Sequence, residues 1–225
     1  LLVTRGEAML GASGGPRLAG NLRTGGAGLP QLEGRIERSG AGASARLVLH
    51  PYRAGQTSVA MPELRLVQER GGAVGIAGRA VVSGAVPGGR IQNLALPLDG
   101  TWSERRGLAM GRRCMTVRFD RFAIAKLSLD ARSLLLCPGR GGAMLASDAR
   151  GTRLAVGTAG LNLAGKLSST PIRMKSGAIG LAWPGNLAAR DVALELGGIA
   201  DPTRLSLQRI DARLGKVIDG SFAGA

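Results

Sequence analysis

Aromatic residues make up only 3% of this 225-residue chain, histidine occurs once and cysteine twice, and 15 acidic residues face 30 lysines and arginines. Each shortage removes a class of function. The stretch GASGGP (residues 11–16) is one letter from the serine-protease segment GDSGGP and also fits G-x-S-x-G. A serine nucleophile, however, needs a histidine within hydrogen-bond reach, and the lone His50 follows Ser13 where the protease order has it precede. A nucleophile elbow also needs a helix directly behind it, which Pro16 and the surrounding glycines do not supply. Ser13 therefore reads as a turn residue, and no catalytic residue is assigned. His50, before Pro51 at an expected strand end, reads as an ordinary surface or half-buried side chain. One histidine and two distant cysteines cannot assemble a metal site. The glycine-rich stretches GGAGLP and GRGGAM lack the Lys-Ser/Thr of a phosphate-binding loop, so no cofactor is expected. No apolar run reaches the ~18 residues of a membrane-spanning helix.

What is abundant is glycine, 37 residues, together with small and branched aliphatics. These fall at alternate positions. Leu94, Leu96 and Leu98 share one face of a segment; so do Met115, Val117 and Phe119, then Leu154 with Val156, Leu161 with Leu163, Ile172 with Met174, and Ile179, Leu181 and Trp183. Val192, Leu194 and Leu196, and then Leu205 with Leu207, continue the pattern. Period two marks strands with one apolar and one wet face. Turn signals at Pro87-Gly88-Gly89, Asp99-Gly100, Pro138-Gly139, Gly141-Gly142, Pro184-Gly185 and Asp219-Gly220 predict an all-β antiparallel meander with little helix, the best helical candidate being a turn or two near Asp211–Val217. Residues 1–45, the richest in glycine, are expected to be a less regular edge segment, and 46–225 a repetitive β unit. With few aromatics to fill its middle, the apolar face is expected to stay open as a trough; about 12 to 15 strands at ~4.8 Å would make it about 60–70 Å long. The chain opens on Leu1 and ends on Ala225 without an export signal, and reads as an internal segment of a longer polypeptide.

A net charge of +15 invites a polyanionic partner. The arginines are nevertheless spread from Arg5 to Arg213 with no aromatic platform for base stacking, which argues against nucleic acid. They suit either a solvated face or contact with anionic headgroups; Arg112, Arg113 and Arg118 stand in the densest cluster. Cys114 and Cys137 are expected to flank a separate strand near Phe122–Leu129. A bridge between them then requires that segment to bulge out, or the two ends to meet at one rim; two buried free thiols are the alternative.

VPGGRIQNLALPLDG, then GRRCMTVRFDRFAIAKLSLDARSLLLCPGRGGAML, then RLSLQRIDARLGKVIDGSFAGA resemble the middle-to-late part of YdbH-type proteins of Gram-negative bacteria, relatives of the AsmA-like and TamB proteins. The likeness runs from about Leu29 onward and is most specific in C-x-x-V-x-F followed by L-x-L-C-P. It implies a periplasmic protein tethered to the inner membrane, its sheet rolled into a trough that carries phospholipids between the two membranes, with an outer-membrane lipoprotein as partner. An older label of the family, dicarboxylate transport, finds no diacid site in these residues. On this reading Leu94, Leu96, Leu98, Met115, Val117, Leu161, Leu163, Ile172, Met174, Ile179 and Leu181 line the groove, and Arg112, Arg113 and Arg118 meet headgroups. The competing expectation is a structural β-repeat module with a closed core and no lipid.

Overall fold

Alternation without helical stripes leaves the chain one way to satisfy its backbone, by pairing strand against strand. The computed structural model describes residues 2–11, 14–40, 42–68, 71–86, 89–198, 200–214 and 218–224. Among them are 18 strands in a single sheet, every pairing antiparallel. Long strands come first: β1 (Leu2–Gly11), β2 (Gly14–Gly26), β3 (Leu29–Ser39), β4 (Gly42–Ala54), β5 (Thr57–Gln68), β6 (Val74–Val86) and β7 (Gly89–Ser103). Each pairs with the next, as a meander should. The Gly-rich opening residues thus contribute β1 to β3 and the start of β4 to the same sheet.

Past β7 the sheet divides into two lanes of shorter strands. These are β8 (Gly107–Met110), β9 (Met115–Ile124), β10 (Leu127–Pro138), β11 (Leu145–Asp148), β12 (Gly151–Thr158), β13 (Leu161–Leu167), β14 (Thr170–Ser176) and β15 (Ile179–Trp183). One lane starts on the first half of β7 and runs β9, β10, β13, β14. The other starts on the last residues of β7 and runs β8, β11, β12, β15. The lanes rejoin on the long β16 (Gly185–Leu196), which pairs β14 with its second half and β15 with its first. Then β17 (Thr203–Leu214) and β18 (Ile218–Gly224) complete the sheet. Four short strands per lane match, so the long strands on either side stay in register. The whole has about fourteen ladder positions, or about 60 Å at ~4.8 Å each.

Where the chain crosses between the lanes, backbone bonds extend the β7–β8–β11–β12 ladder, and one, from Gly139, ties β10 to β12. Gly111 N–H donates to Asp99 O (2.6 Å), Met144 N–H to Met110 O (3.0 Å), Ala155 N–H to Met144 O (2.8 Å) and Gly139 N–H to Ala155 O (2.9 Å). Cys114 and Cys137 are disulfide-bonded beside this crossing.

Several expectations are corrected. The strand anticipated near Phe122–Leu129 is a hairpin bend: β9 and β10 turn at Ala125-Lys126, so the cysteines lie opposite one another, one step beyond the Met115–Leu136 pair. Asp99-Gly100 is not a turn but part of β7, where the bare Gly100 lets β8 pass closely; a Cβ there would lie 2.6 Å from Ala109 O. Asp219-Gly220 belongs to β18, and residues 211–214 to β17 rather than to a helix, because the cross-strand partners of β16 and β18 take up their backbone groups; residues 215–217 lie outside the described residues. His50 sits inside β4, at a register shift between Leu49 and Tyr52, rather than at a strand end. Ser13 also lies outside the described residues, as do Pro87 and Gly88.

Among the described residues no second layer covers the sheet. The accessible surface is 15298 Å², against about 9,600 Å² expected for a compact globule of this mass. The residues most removed from solvent nonetheless share a side. Leu47, Ala80, Ile91, Val117, Phe119, Leu129, Leu163, Ala189 and Val192 are all buried, and strand pairing places each of them on the apolar face. A flat single sheet would leave them half-open, so the sheet is curled toward that face into an open trough. Bulges supply the bend: the ladders are shifted at Leu49/Tyr52, Ala60/Glu63 and Val82/Gly84, and each extra residue kinks its strand.

Candidate functional site

Because opposed residues in a ladder project to one side, the pairings can be read as rows crossing the sheet. One row runs Ile36, Ala45, Leu66, Ile76, Gly100, Met110, Leu145, Leu154, Trp183, from β3 to β15, without a polar residue. A second crosses the other lane as Gly84, Ile91, Phe122, Leu129, Gly165, Ile172, Leu196. At ~4.8 Å per strand these rows are about 40 and 30 Å long. Around Ile91, Phe119, Leu129 and Leu163 the side chains close into a small packed cluster, with Leu94, Leu134, Leu161 and Met174 against it.

All the residues expected to line a groove lie on this face. Leu94, Leu96 and Leu98 oppose Val82, Ala80 and Gly78. Met115 and Val117 oppose Leu136 and Leu134. Leu163 opposes Met174, which opposes Leu194. Ile172 follows in the same strand, Leu161 opposes Ser176, and Ile179 and Leu181 oppose Thr158 and Val156. Val117 and Leu163 are 4% and 5% exposed, the others half-buried. They therefore divide into a packed floor and a partly open surface. Sequence reasoning did not place Ile91, Phe122 and Leu129 on this face. They stand three positions from their neighbours Leu94, Phe119 and Arg132 because the strands change parity near Asn93, whose φ of 51° is left-handed. Asn93 is held there by Ser83 Oγ, which accepts its N–H (2.8 Å), while its side-chain amide donates to Asp120 Oδ2 (2.7 Å).

The opposite face is charged. Arg35 opposes Arg46, which opposes Arg65, a like-charged row eased by Glu37 against Arg35 (2.8 Å) and Glu63 against Arg65 (3.8 Å). His50 Nε2 meets Glu33 Oε1 at 2.8 Å. At the hairpin between β11 and β12, Asp148 accepts from Arg150 N–H (2.8 Å) and from Arg153 (2.6 Å); the backbone bond first, and then Arg153, hold its carboxyl below the usual 3.8. Arg112 and Arg113 are exposed in the crossing before Cys114, and Arg118 is exposed on β9. Among the described residues no group of His, Cys, Asp and Glu is placed to hold a metal ion, and no helix is long and apolar enough to cross a membrane.

Two unbroken apolar rows inside a curled sheet offer a surface against which hydrocarbon can be buried. Comparison with known proteins gives the same direction. A family model described as "YdbH-like: Intermembrane phospholipid transport protein YdbH" matches residues 2–212. No curated protein and no solved structure matches the chain.

Proposed function

The chain belongs to the YdbH-like family of intermembrane phospholipid transport proteins, and from that premise we propose that its trough is a segment of the path along which phospholipids pass. Acyl chains lie against the two apolar rows, including Leu94, Leu96, Leu98, Met115, Val117, Leu161, Leu163, Ile172, Met174, Ile179 and Leu181. Headgroups face the water and the exposed guanidiniums of Arg112 and Arg113 in the crossing, with Arg118 as a further contact from the outer side of β9. The work is done in the periplasm by a protein tethered to the inner membrane and met by an outer-membrane lipoprotein. The observation that carries this reading is the uncovered apolar face: small and branched side chains leave room above the floor that a second sheet would otherwise fill.

The competing structural module needs a closed core, and the excess of accessible surface speaks against one. The test is native mass spectrometry of the chain exported to a bacterial periplasm, followed by solvent extraction. Phospholipid is expected in the wild-type preparation and much reduced in Leu96→Asp, with the variant still folded. A stably folded wild type that emerges free of lipid under every mild extraction refutes the proposal.

A further inference from the structure

The two lanes leave an opening in the wall. β10 pairs with β13 through Leu127, Ser128 and Leu129, and with β12 only at Cys137 and Pro138. Between those contacts, residues 130–136 have β9 on one side and no strand on the other. Facing them is the crossing from β12 to β13 at residues 158–162. A cavity of about 820 Å³ occupies the gap. Its lining takes consecutive residues from both edges, 131–135 and 158–162. Neighbours along a strand point to opposite faces, so the lining draws on residues from both sides of the sheet.

Two guanidiniums stand at it. Arg118 lies on the wet side of β9. Arg132 is paired with the buried Phe119, which puts a positive charge on the apolar side. Its Nε donates to the main-chain oxygen of Asn162 (2.6 Å), a neutral partner. Among the described residues neither arginine has a carboxylate within ion-pair distance. Arg132 is exposed, so its guanidinium stays hydrated and accessible to an anionic ligand. Asp120, also in the lining, has one oxygen engaged by the Asn93 amide (2.7 Å). Two arginines and one aspartate leave a net single positive charge, the complement of a phosphodiester.

We propose that this opening is a headgroup site: a phosphodiester is received by Arg118 and Arg132 while the chains attached to it lie along Phe119, Leu134 and Leu161. The inference rests on the trough reading and adds to it a fixed station in the wall where the polar end of the cargo is recognised. Guanidinium forks suit phosphate oxygens, and the exposed edge of β10 contributes N–H groups beside them.

The test measures binding of two soluble probes with the same dioctanoyl chains, phosphatidylglycerol and the neutral diacylglycerol, with inorganic phosphate as a third ligand. Wild type is expected to bind the phosphatidylglycerol at least about tenfold more tightly than the diacylglycerol, as hydrogen bonds to charged groups imply. Arg118→Gln and Arg132→Gln should each reduce that preference, and together abolish it, without changing diacylglycerol affinity. Retained diacylglycerol binding shows that the variants are folded. Equal affinity of the wild type for both probes overturns the headgroup site and leaves the trough standing. Failure of both probes to bind overturns the trough as well. Inorganic phosphate binding as tightly as the lipid, and lost in the double variant, assigns the opening to the free anion and overturns the lipid station.

Discussion

A carboxylate placed on the apolar face should have very different effects at Leu96 and at Val117. Both belong to the same side of the sheet, on the neighbouring strands β7 and β9, so a dry closed core would treat them alike. In an open trough they differ. Leu96 is half-buried on the apolar face, opposite Ala80. Replacing it with Asp forfeits about half the ~1.5–3 kcal/mol of a fully buried leucine. The poor strand propensity of Asp adds up to ~1 kcal/mol. The new carboxylate can hydrate, so no large burial cost follows, and the total is about 2 kcal/mol. Val117 is 4% exposed. There the whole transfer energy is lost, and the carboxylate must be desolvated or neutralised, which adds several kcal/mol more. The sum, roughly 5 kcal/mol or above, is comparable with the entire stability of many domains.

Urea denaturation followed by circular dichroism separates the cases. With a slope of about 2 kcal/mol/M, Leu96→Asp should lower the midpoint by about 1 M. Val117→Asp should have no folded baseline. Leu96→Ala and Val117→Ala serve as controls for lost packing alone. If Leu96→Asp unfolds the protein as completely as Val117→Asp, the face is a dry core and the trough is wrong.

Two further outcomes follow from the same structure. Cys114 and Cys137 close a loop with a sequence separation of 23, and on the chain-entropy account the double alanine variant should lose about 3 kcal/mol; a midpoint unchanged by the substitutions, or by reduction of the wild type, would contradict the placement of the bridge at the crossing. Asp148 has a folded-state pKa below 3.8, so its contribution is complete above that value and disappears as pH falls through the lower folded one. A carboxyl titration by NMR should therefore place its midpoint below that of an unfolded reference, and Arg153→Gln should raise it; a normal midpoint in the folded chain removes the argument.

The class of fold was readable because period two is a physical requirement of a sheet with unlike faces, and Leu94, Leu96 and Leu98 or Leu161 and Leu163 display it without interruption. The fork was not readable. It depends on which half of β7 pairs with β8 and which with β9, and no local signal distinguishes them. Turns were misplaced where the usual residues are missing or mislead. Ala125-Lys126 bends the chain with Ala125 at φ 49°, and neither residue advertises a turn; Asp99-Gly100 does advertise one and is strand. The apolar-face residues Ile91, Phe122 and Leu129 were lost for a related reason, since the parity change at Asn93 and Asp120 interrupts the period that identifies the rest. Arg132 was invisible for the same cause: its side of the sheet is known only from its pairing with Phe119.

The fork has a consequence for how a lipid path could be built from one sheet. A trough made only of full-length strands offers a continuous hydrocarbon wall, along which an amphiphile has no reason to stop and whose polar end finds no partner in the wall itself. Dividing the strands into two lanes breaks the wall once, between β10 and the β12–β13 crossing, and brings Arg118 from the wet face and Arg132 from the apolar face to the same gap. The break costs ladder hydrogen bonds along residues 130–136, while the bond from Gly139 N–H to Ala155 O and the Cys114–Cys137 disulfide hold the chain beside it. If the gap were only a folding defect, filling it should stabilise the sheet and leave ligand preference untouched. If it is a station, Arg132→Leu should change stability little, because the guanidinium is exposed, and yet leave the protein less able to distinguish a phospholipid from a neutral lipid of the same chains. Recognition lost without a matching change in stability is the signature of a residue retained for binding, and a variant that keeps its discrimination would show that the charge serves no such purpose.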